Sequence, residues 1–405
     1  MYRRRGRRRR RGIPKALLIL PVVFIVGAVV FLTMNGGIFS YRKGKKAILK
    51  EDYQKAVECL QKATKKEPDK KVYRVAYGMA LVGTGEYEDA LEQFQMGISD
   101  KTTSKAAQNN KQAYRGVGIC YFFAKNYKDS ISYFDKALGI NELEYLNLDI
   151  VKYKADSELH LGKYKEAVEL YSQVIKEEKY NDDMYLKRAY AEAEGNMADK
   201  AIADYDYIIK ENEKNFDAYL GAYSLLMREE EEEKADSYLQ AALKVKPKTL
   251  DEKLKYAVAQ YYFYGITQEA VESLEALVDK KEPEAYFYLA KISYAEEDYE
   301  KVSSYLNSYV SEKDAKHLAE AYEMLGRSAM LTKDYHGALK CFETGITCND
   351  AKWTRTLKRD QISVYEYLTD FEKALDVAMK YLADFPDDQE VIREVEFIKT
   401  RLNEQ

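Results

Sequence analysis

Proline is scarce in this chain: six in 405 residues, beside 20 glycines. A sequence so poor in both does not read as a β-rich fold with many tight reversals, and long helices are the expectation. Cysteine is confined to Cys59, Cys120, Cys341 and Cys348. None forms a C-x-x-C pair, so neither a zinc site nor a disulfide framework is indicated. Cys341 and Cys348 are seven positions apart, roughly 10 Å on one continuous helix, which is beyond disulfide reach. The three histidines, His160, His317 and His336, are scattered. His317 and Glu320 share a helical face, but two groups are too few to argue for a metal. No phosphate loop G-x-x-x-x-G-K-[ST], no G-x-S-x-G elbow and no H-E-x-x-H motif is present. The run Glu229–Glu233 reads as a solvated helix end at a turn. The expectation is a non-enzyme without catalytic residues, metal or cofactor.

Acid is missing from one end. Residues 1–50 hold 14 of the 64 Lys and Arg and none of the 68 Asp and Glu, although the whole chain is only at −4. The remainder is strongly acidic, which does not suit nucleic acid, a ligand that rewards phosphate neutralisation. The basic segment 1–15 precedes 16–34, "ALLILPVVFIVGAVVFLTM", which carries no charge. As a helix that run roughly matches the hydrocarbon core of a bilayer. "LTMNGGIFS" is a poor cleavage site, so 16–34 reads as an uncleaved transmembrane signal anchor rather than a signal peptide. The larger basic cluster, Arg3 to Lys15, places the tail in the cytoplasm and the body outside it.

What is plentiful is one phrase. "EYEDALEQFQMGIS", "NYKDSISYFDKALG", "KYKEAVELYSQVIK" and "DYHGALKCFETGIT" are variants of it. Aligned on a small anchor, they give Ala56, Ala90, Ser130, Ala167, Ala201, Ala235, Ala270, Val302, Ala338 and Ala374, at intervals of 32 to 40 residues. A large apolar residue follows four positions later (Leu60, Phe94, Phe134, Phe342), with Ala378 the exception. An aromatic such as Tyr127 or Tyr335 opens the helix three positions earlier. Twelve positions before the anchor stand Gly44, Gly78, Gly118, Ala155, Ala189, Ala290 and Gly326, small residues that let a preceding helix cross closely. Pro68, Pro247 and Pro386 mark exits.

Two helices per unit, small residues at their crossing and a proline at the exit resemble the tetratricopeptide repeat. The likeness covers 37–387 in about ten units, and repeats 6 to 8 are the least regular. It implies an all-α, right-handed superhelical solenoid, with 388–405 as an amphipathic cap on the last repeat. The resemblance brings no catalytic residue. It implies that the first helix of each repeat lines a concave groove for a protein or peptide partner. At the fifth, ninth and nearby positions of those helices stand Lys45, Arg115, Lys152, Tyr190, Lys255, Tyr262, Lys291, Tyr294, Arg327 and Arg359, with Asp156 and Glu323 the acids. In an acidic body this local excess of cations points to an acidic or hydrogen-bonding partner. Salt bridges between neighbouring helices would account for the same residues. The expected function is a membrane-anchored scaffold on the extracytoplasmic side. A cytosol-facing receptor is the alternative, and an enzyme of unrecognised motif a more distant one.

Overall fold

The computed structural model describes residues 36–280, 282–313 and 315–403. The basic tail, 1–15, and the apolar run, 16–34, lie outside them. No helix among the described residues is long and apolar enough to cross a membrane. The regular elements described are 21 α-helices and one 3-10 turn, Glu144–Leu146. They are α1 (36–48), α2 (Tyr53–Lys66), α3 (Lys71–Thr84), α4 (Tyr87–Gly97), α5 (Ser104–Phe123), α6 (Tyr127–Leu138) and α7 (Asn147–His160). Next come α8 (Tyr164–Glu177), α9 (Asp182–Glu194), α10 (Ala198–Glu211), α11 (Phe216–Arg228), α12 (Glu232–Ala242), α13 (Leu250–Tyr264) and α14 (Gln268–Val278). The last are α15 (Glu284–Ala295), α16 (Tyr299–Val310), α17 (Leu318–Leu331), α18 (Tyr335–Ile346), α19 (Ala351–Tyr367), α20 (Phe371–Asp384) and α21 (Gln389–Asn403). Helices α1 to α20 pair into ten hairpins, and α21 is left over. The chain divides into two compact units, residues 1–147 and 148–405.

The hairpins close because their crossing points are small. All ten anchors, from Ala56 to Ala374, are 0% exposed. The one polar anchor, Ser130, donates its hydroxyl to the Gly118 carbonyl at 2.9 Å, so its burial leaves nothing unpaired. In seven of the ten hairpins the first helix presents glycine or alanine opposite the anchor helix, where a large apolar side chain lies over it. A methyl group on Gly118 would stand 2.5 Å from the Phe134 ring, and one on Gly326 2.3 Å from Phe342. The tenth hairpin reverses the arrangement. Ile362 fills the small position and Ala378 the large one, and both belong to one buried cluster with Tyr365, Tyr381 and Val395. Volume is conserved across the crossing although neither residue matches the pattern. In the sixth hairpin the displaced Gly221 makes room instead for Tyr205 of α10, 2.6 Å from where its Cβ would be.

The turns repeat as closely as the cores. In every hairpin the residue five before the anchor has positive φ: Glu51, Gly85, Lys125, Gly162, Asn196, Glu230, Gly265, Glu297, Lys333 and Thr369. In nine hairpins the next amide donates to the carbonyl five residues back, as Asp334 does to Ala329 at 2.8 Å. This closes a Schellman-type C-cap on the first helix. The capping residue then starts the second helix. Asp52, Asn126, Asp298, Asp334 and Asp370 each accept from the backbone N–H three residues on. The seventh hairpin departs from this. Gly265 has φ 79° and ψ −161°, a region essentially reserved for glycine.

All four cysteines are free. Helix α18 stops at Ile346, so Cys348 lies beyond it and the two thiols do not share one helix. Burial pushes the Cys120 thiol up to about 12, which makes it inert.

Candidate binding face

Within each unit the first helices crowd together. α3 approaches α5, and α9, α11, α13, α15, α17 and α19 approach one another in sequence. No two second helices come comparably close among the described residues; each packs on the first helices beside it. The side carried by the first helices is therefore the inner side of each stack.

In the second unit this side carries a ladder of ion pairs. Lys187 of α9 meets Asp156 of α7 at 3.1 Å, and Lys255 of α13 meets Asp217 of α11 at 2.6 Å. Lys291 of α15 meets Glu320 of α17 at 3.1 Å, and Arg327 of α17 meets Asp360 of α19 at 3.2 Å. Arg359 of α19 pairs with Glu390 of α21. The rungs join consecutive first helices, and the last one reaches the final helix. Burial disfavours the Lys255, Lys291 and Arg327 cations, yet acidic neighbours outweigh it and all three pKa values are raised: Asp217 and Asp251 beside Lys255, the Tyr262 phenol and Glu320 beside Lys291, Glu323 and Asp360 beside Arg327. Glu323, one turn before Arg327, is pushed up to about 7 by burial, against the pull of Arg327.

Two adjoining cavities open on the end of this ladder. One, about 370 Å³, is lined by Arg327, Thr356, Arg359, Asp360, Glu390 and Glu394 among others. The other, about 350 Å³, is lined by Tyr294, Arg327, Met330, Leu331, Asp360 and Tyr367 among others. Arg327, Asp360 and Ser363 border both, so the two form one trough over α15, α17, α19 and α21. Its lip is apolar and in solvent: Leu331 is 55% exposed and Tyr367 60%. Tyr367 is held by stacking on Tyr335 at 5.1 Å.

The residues expected in the groove are distributed as follows. Tyr294, Arg327 and Arg359 line the trough. Further back along the ladder, Lys291 interacts with Tyr262, whose ring lies 5.2 Å from Tyr223. Lys255 is bonded to Asp217 and to Asp251. Lys152 is bonded within its own hairpin to Glu178 at 2.6 Å. Tyr190 stands near Glu194 and Asp350, away from the trough. Arg115 and Lys45 belong to the first unit. The neighbouring-helix ion pairs are thus present: the cations of the second unit named here come with their own carboxylates.

Counting the fifth and ninth positions misses Asp360, Glu390, Glu394, Thr356, Ser363 and Tyr367. The adjacency of Arg359 and Asp360 was the available signal, since consecutive opposite charges on one helix point toward different neighbours. A polar knot was also missed. Glu284, 6% exposed, accepts from the Tyr309 hydroxyl at 2.9 Å and from the Lys316 amide at 3.1 Å, and lies 3.6 Å from His317. The His317 ring stacks on Phe287, and burial pulls its pKa down. The knot ties α15, α16 and α17 beneath the ladder. Among the described residues no group of three or more His, Cys, Asp or Glu is placed to hold a metal.

Residues 41–102 and 154–216 match the tetratricopeptide repeat family. Among solved structures, the chain is similar to YrrB, described as a tetratricopeptide-repeat protein with an unusual peptide-binding site. The identity is 20%, 49% of this chain and 97% of that one are covered, and the TM-score is 0.41. A tetratricopeptide repeat protein from Parabacteroides merdae has 15% identity, covering 60% of this chain and 92% of its own, with a TM-score of 0.45. The anaphase-promoting complex assembly Cut9–Hcn1 has 12% identity over 91% of each chain and a TM-score of 0.40. The matched segments span the first and second hairpins and the fourth and fifth.

Proposed function

We propose that the chain is a scaffold that holds a protein or peptide segment along the first-helix face of its second unit. The observation that carries this reading is the trough: a continuous cleft with fixed charges on its floor and exposed Leu331 and Tyr367 on its lip. Such a surface offers apolar area to a side chain and hydrogen-bonding charges to a backbone or carboxylate. Glu390, whose side chain is 61% exposed, is the most accessible ladder acid, so an acidic group of a partner would exchange with it at Arg359. The partner is an acidic or hydrogen-bonding segment. The apolar run 16–34 anchors the scaffold in a membrane, with the tail 1–15 in the cytoplasm and the repeats outside it.

Replacing Leu331 and Tyr367 together by alanine tests the site without breaking the ladder. Capture of partners from solubilised membranes drops at least tenfold while the helical signal is kept. Undiminished capture with both side chains gone refutes the trough. Protease added to intact cells (wall removed, if there is one) tests the topology. Digestion beyond residue 40 supports the outward orientation, and protection until lysis supports the cytosol-facing receptor.

A further inference from the structure

The second unit touches itself across most of its length. Gly162 lies in the turn between α7 and α8, and Ala351 is the first residue of α19. A Cβ on Gly162 would be 3.3 Å from the Cβ of Ala351. Around this point Asp350 interacts with the phenols of both Tyr164 and Tyr190. Asp350 is held in place as the cap of α19, accepting from the Lys352 amide at 2.9 Å and the Trp353 amide at 3.3 Å. The edge that carries the turns inside hairpins thus meets the edge that carries the connections between hairpins, six hairpins on. The stack coils far enough for one coil to rest on the next.

This contact is unlike the others in the unit. Neighbouring hairpins share whole buried rings and leucines, such as Phe287 with Met324 and Leu325. Here an alanine methyl faces a glycine, and Tyr190 stays 40% exposed. Burial scales with area, so this is the contact that parts first. What brings the edges together is curvature. Four of the five rungs, all but Arg359–Glu390, join two consecutive first helices on the inner side, where drawing helices together bends a stack.

We propose that the ion-pair ladder and the Gly162–Ala351 contact form one conformational device: the ladder bends the second unit until its coils meet, and loss of rungs lets them part. Parting opens the first-helix face from the side. A partner bearing charges that replace ladder groups therefore opens the unit as it binds. This last consequence rests on the proposed binding face; the coupling of ladder to contact does not.

The test needs no partner. In the full-length chain, with Cys341 and Cys348 changed to serine, the exposed Lys165 and Lys352 become cysteines carrying spin labels. Cys59 and Cys120 are buried and stay unlabelled. The distance between labels is expected to be short and narrowly distributed at low salt. It is expected to lengthen and broaden when Lys255→Met and Lys291→Met remove two rungs, with helicity unchanged. High salt should produce a smaller shift in the same direction, because partly buried pairs are only partly screened. Cross-linking Gly162→Cys to Ala351→Cys gives a second readout. Oxidation should form the disulfide several-fold more slowly in the two-rung variant. A long label distance in the intact ladder overturns the contact. A short distance that ignores both the double substitution and salt overturns the coupling. Either result leaves the Leu331 and Tyr367 capture experiment standing, so the two failures are distinguishable.

Discussion

Lys111 in the first unit and Lys255 in the second both project from a first helix, and they are satisfied in opposite ways. Lys111 is 0% exposed and donates to two neutral acceptors, the Ile140 carbonyl at 2.9 Å and the Asn147 side chain at 2.6 Å. Burial pulls its pKa down, and Glu144 and Glu142 offset this only in part. Lys255 also suffers from burial, but Asp217 and Asp251 reverse the balance and raise its pKa. The first arrangement pins one connection, residues 139–147, with short directed bonds. The second joins separate hairpins through charge, which works over a longer range and yields to salt. The same residue type makes a fixed fastening in one unit and an adjustable one in the other.

The comparison holds only if the two units have equivalent apolar cores. Phe94→Ala in the first and Phe342→Ala in the second, both at the hairpin crossing, should each cost about 3–5 kcal/mol. Hydrogen exchange resolved by hairpin measures this locally, which suits an array that need not melt in one step. Unequal losses would trace the difference between units to packing instead of charge.

A second substitution asks whether backbone geometry distinguishes them. Gly265→Ala forces a side chain into a region that only glycine occupies freely and should cost about 1–3 kcal/mol, felt in α13 and α14. A neutral outcome in exchange would mean that the seventh turn relaxes to the geometry of the other nine.

The two lysines come next. Lys111→Met removes the two charged hydrogen bonds to the Ile140 carbonyl, which keeps the Glu142 amide as a donor, and to the Asn147 side chain, and should cost about 1–3 kcal/mol at any salt concentration. Lys255→Met leaves two carboxylates that are half in solvent, and should cost under about 1 kcal/mol, a difference that shrinks in high salt. Salt series on both variants, read by urea denaturation, separate the two fastenings. Equal salt dependence would erase the distinction.

The end of the ladder adds a pH dependence. Glu366 on α19 is pushed up to about 8 by burial and by its bonded neighbour Glu394 on α21. Its ordinary value is 4.5, so the folded state holds a proton that the unfolded chain releases. The resulting stability is complete below about pH 4.5 and is lost as pH rises through about 8. Protection of α21 should fall over that window in the wild-type chain. Glu366→Gln should flatten the profile, with a gain on the order of 1 kcal/mol above pH 8 once solvent screening is allowed for. An unchanged pH profile in the variant would remove the carboxyl pair from the account of how α21 is held.

The smallest effect concerns the turns. Lys333→Gly removes the strain of a lysine at φ 64° and should stabilise the ninth hairpin by a few tenths to about 1 kcal/mol. Thermal melting checks it, and a loss of stability would show that the lysine side chain compensates for its backbone.

Some of this protein was written in the sequence in a form that can be read. The small anchors and the glycines twelve residues before them are buried where two helices cross, and a close crossing admits few residue sizes. That restriction is local, so it survives as a pattern, and the hairpins follow from it. The left-handed residue of each turn is as regular, yet Glu, Lys, Asn and Thr occupy it as well as Gly, because the C-cap bonds are made by the backbone. Composition is silent there. The binding face was legible only in part. Lys255, Lys291, Arg327 and Arg359 could be placed on it by counting, but not their partners, which lie 29 to 38 residues away on other helices. Which carboxylate a lysine meets depends on how far one helix slides and rotates against the next. The meeting of Gly162 with Ala351 depends on the sum of those small rotations over six hairpins. The sequence by itself determined the hairpin and its apolar crossing; only the tertiary structure decided the charge pairing, the trough and the contact between coils, because these depend on angles accumulated between elements and not on the identity of any one residue.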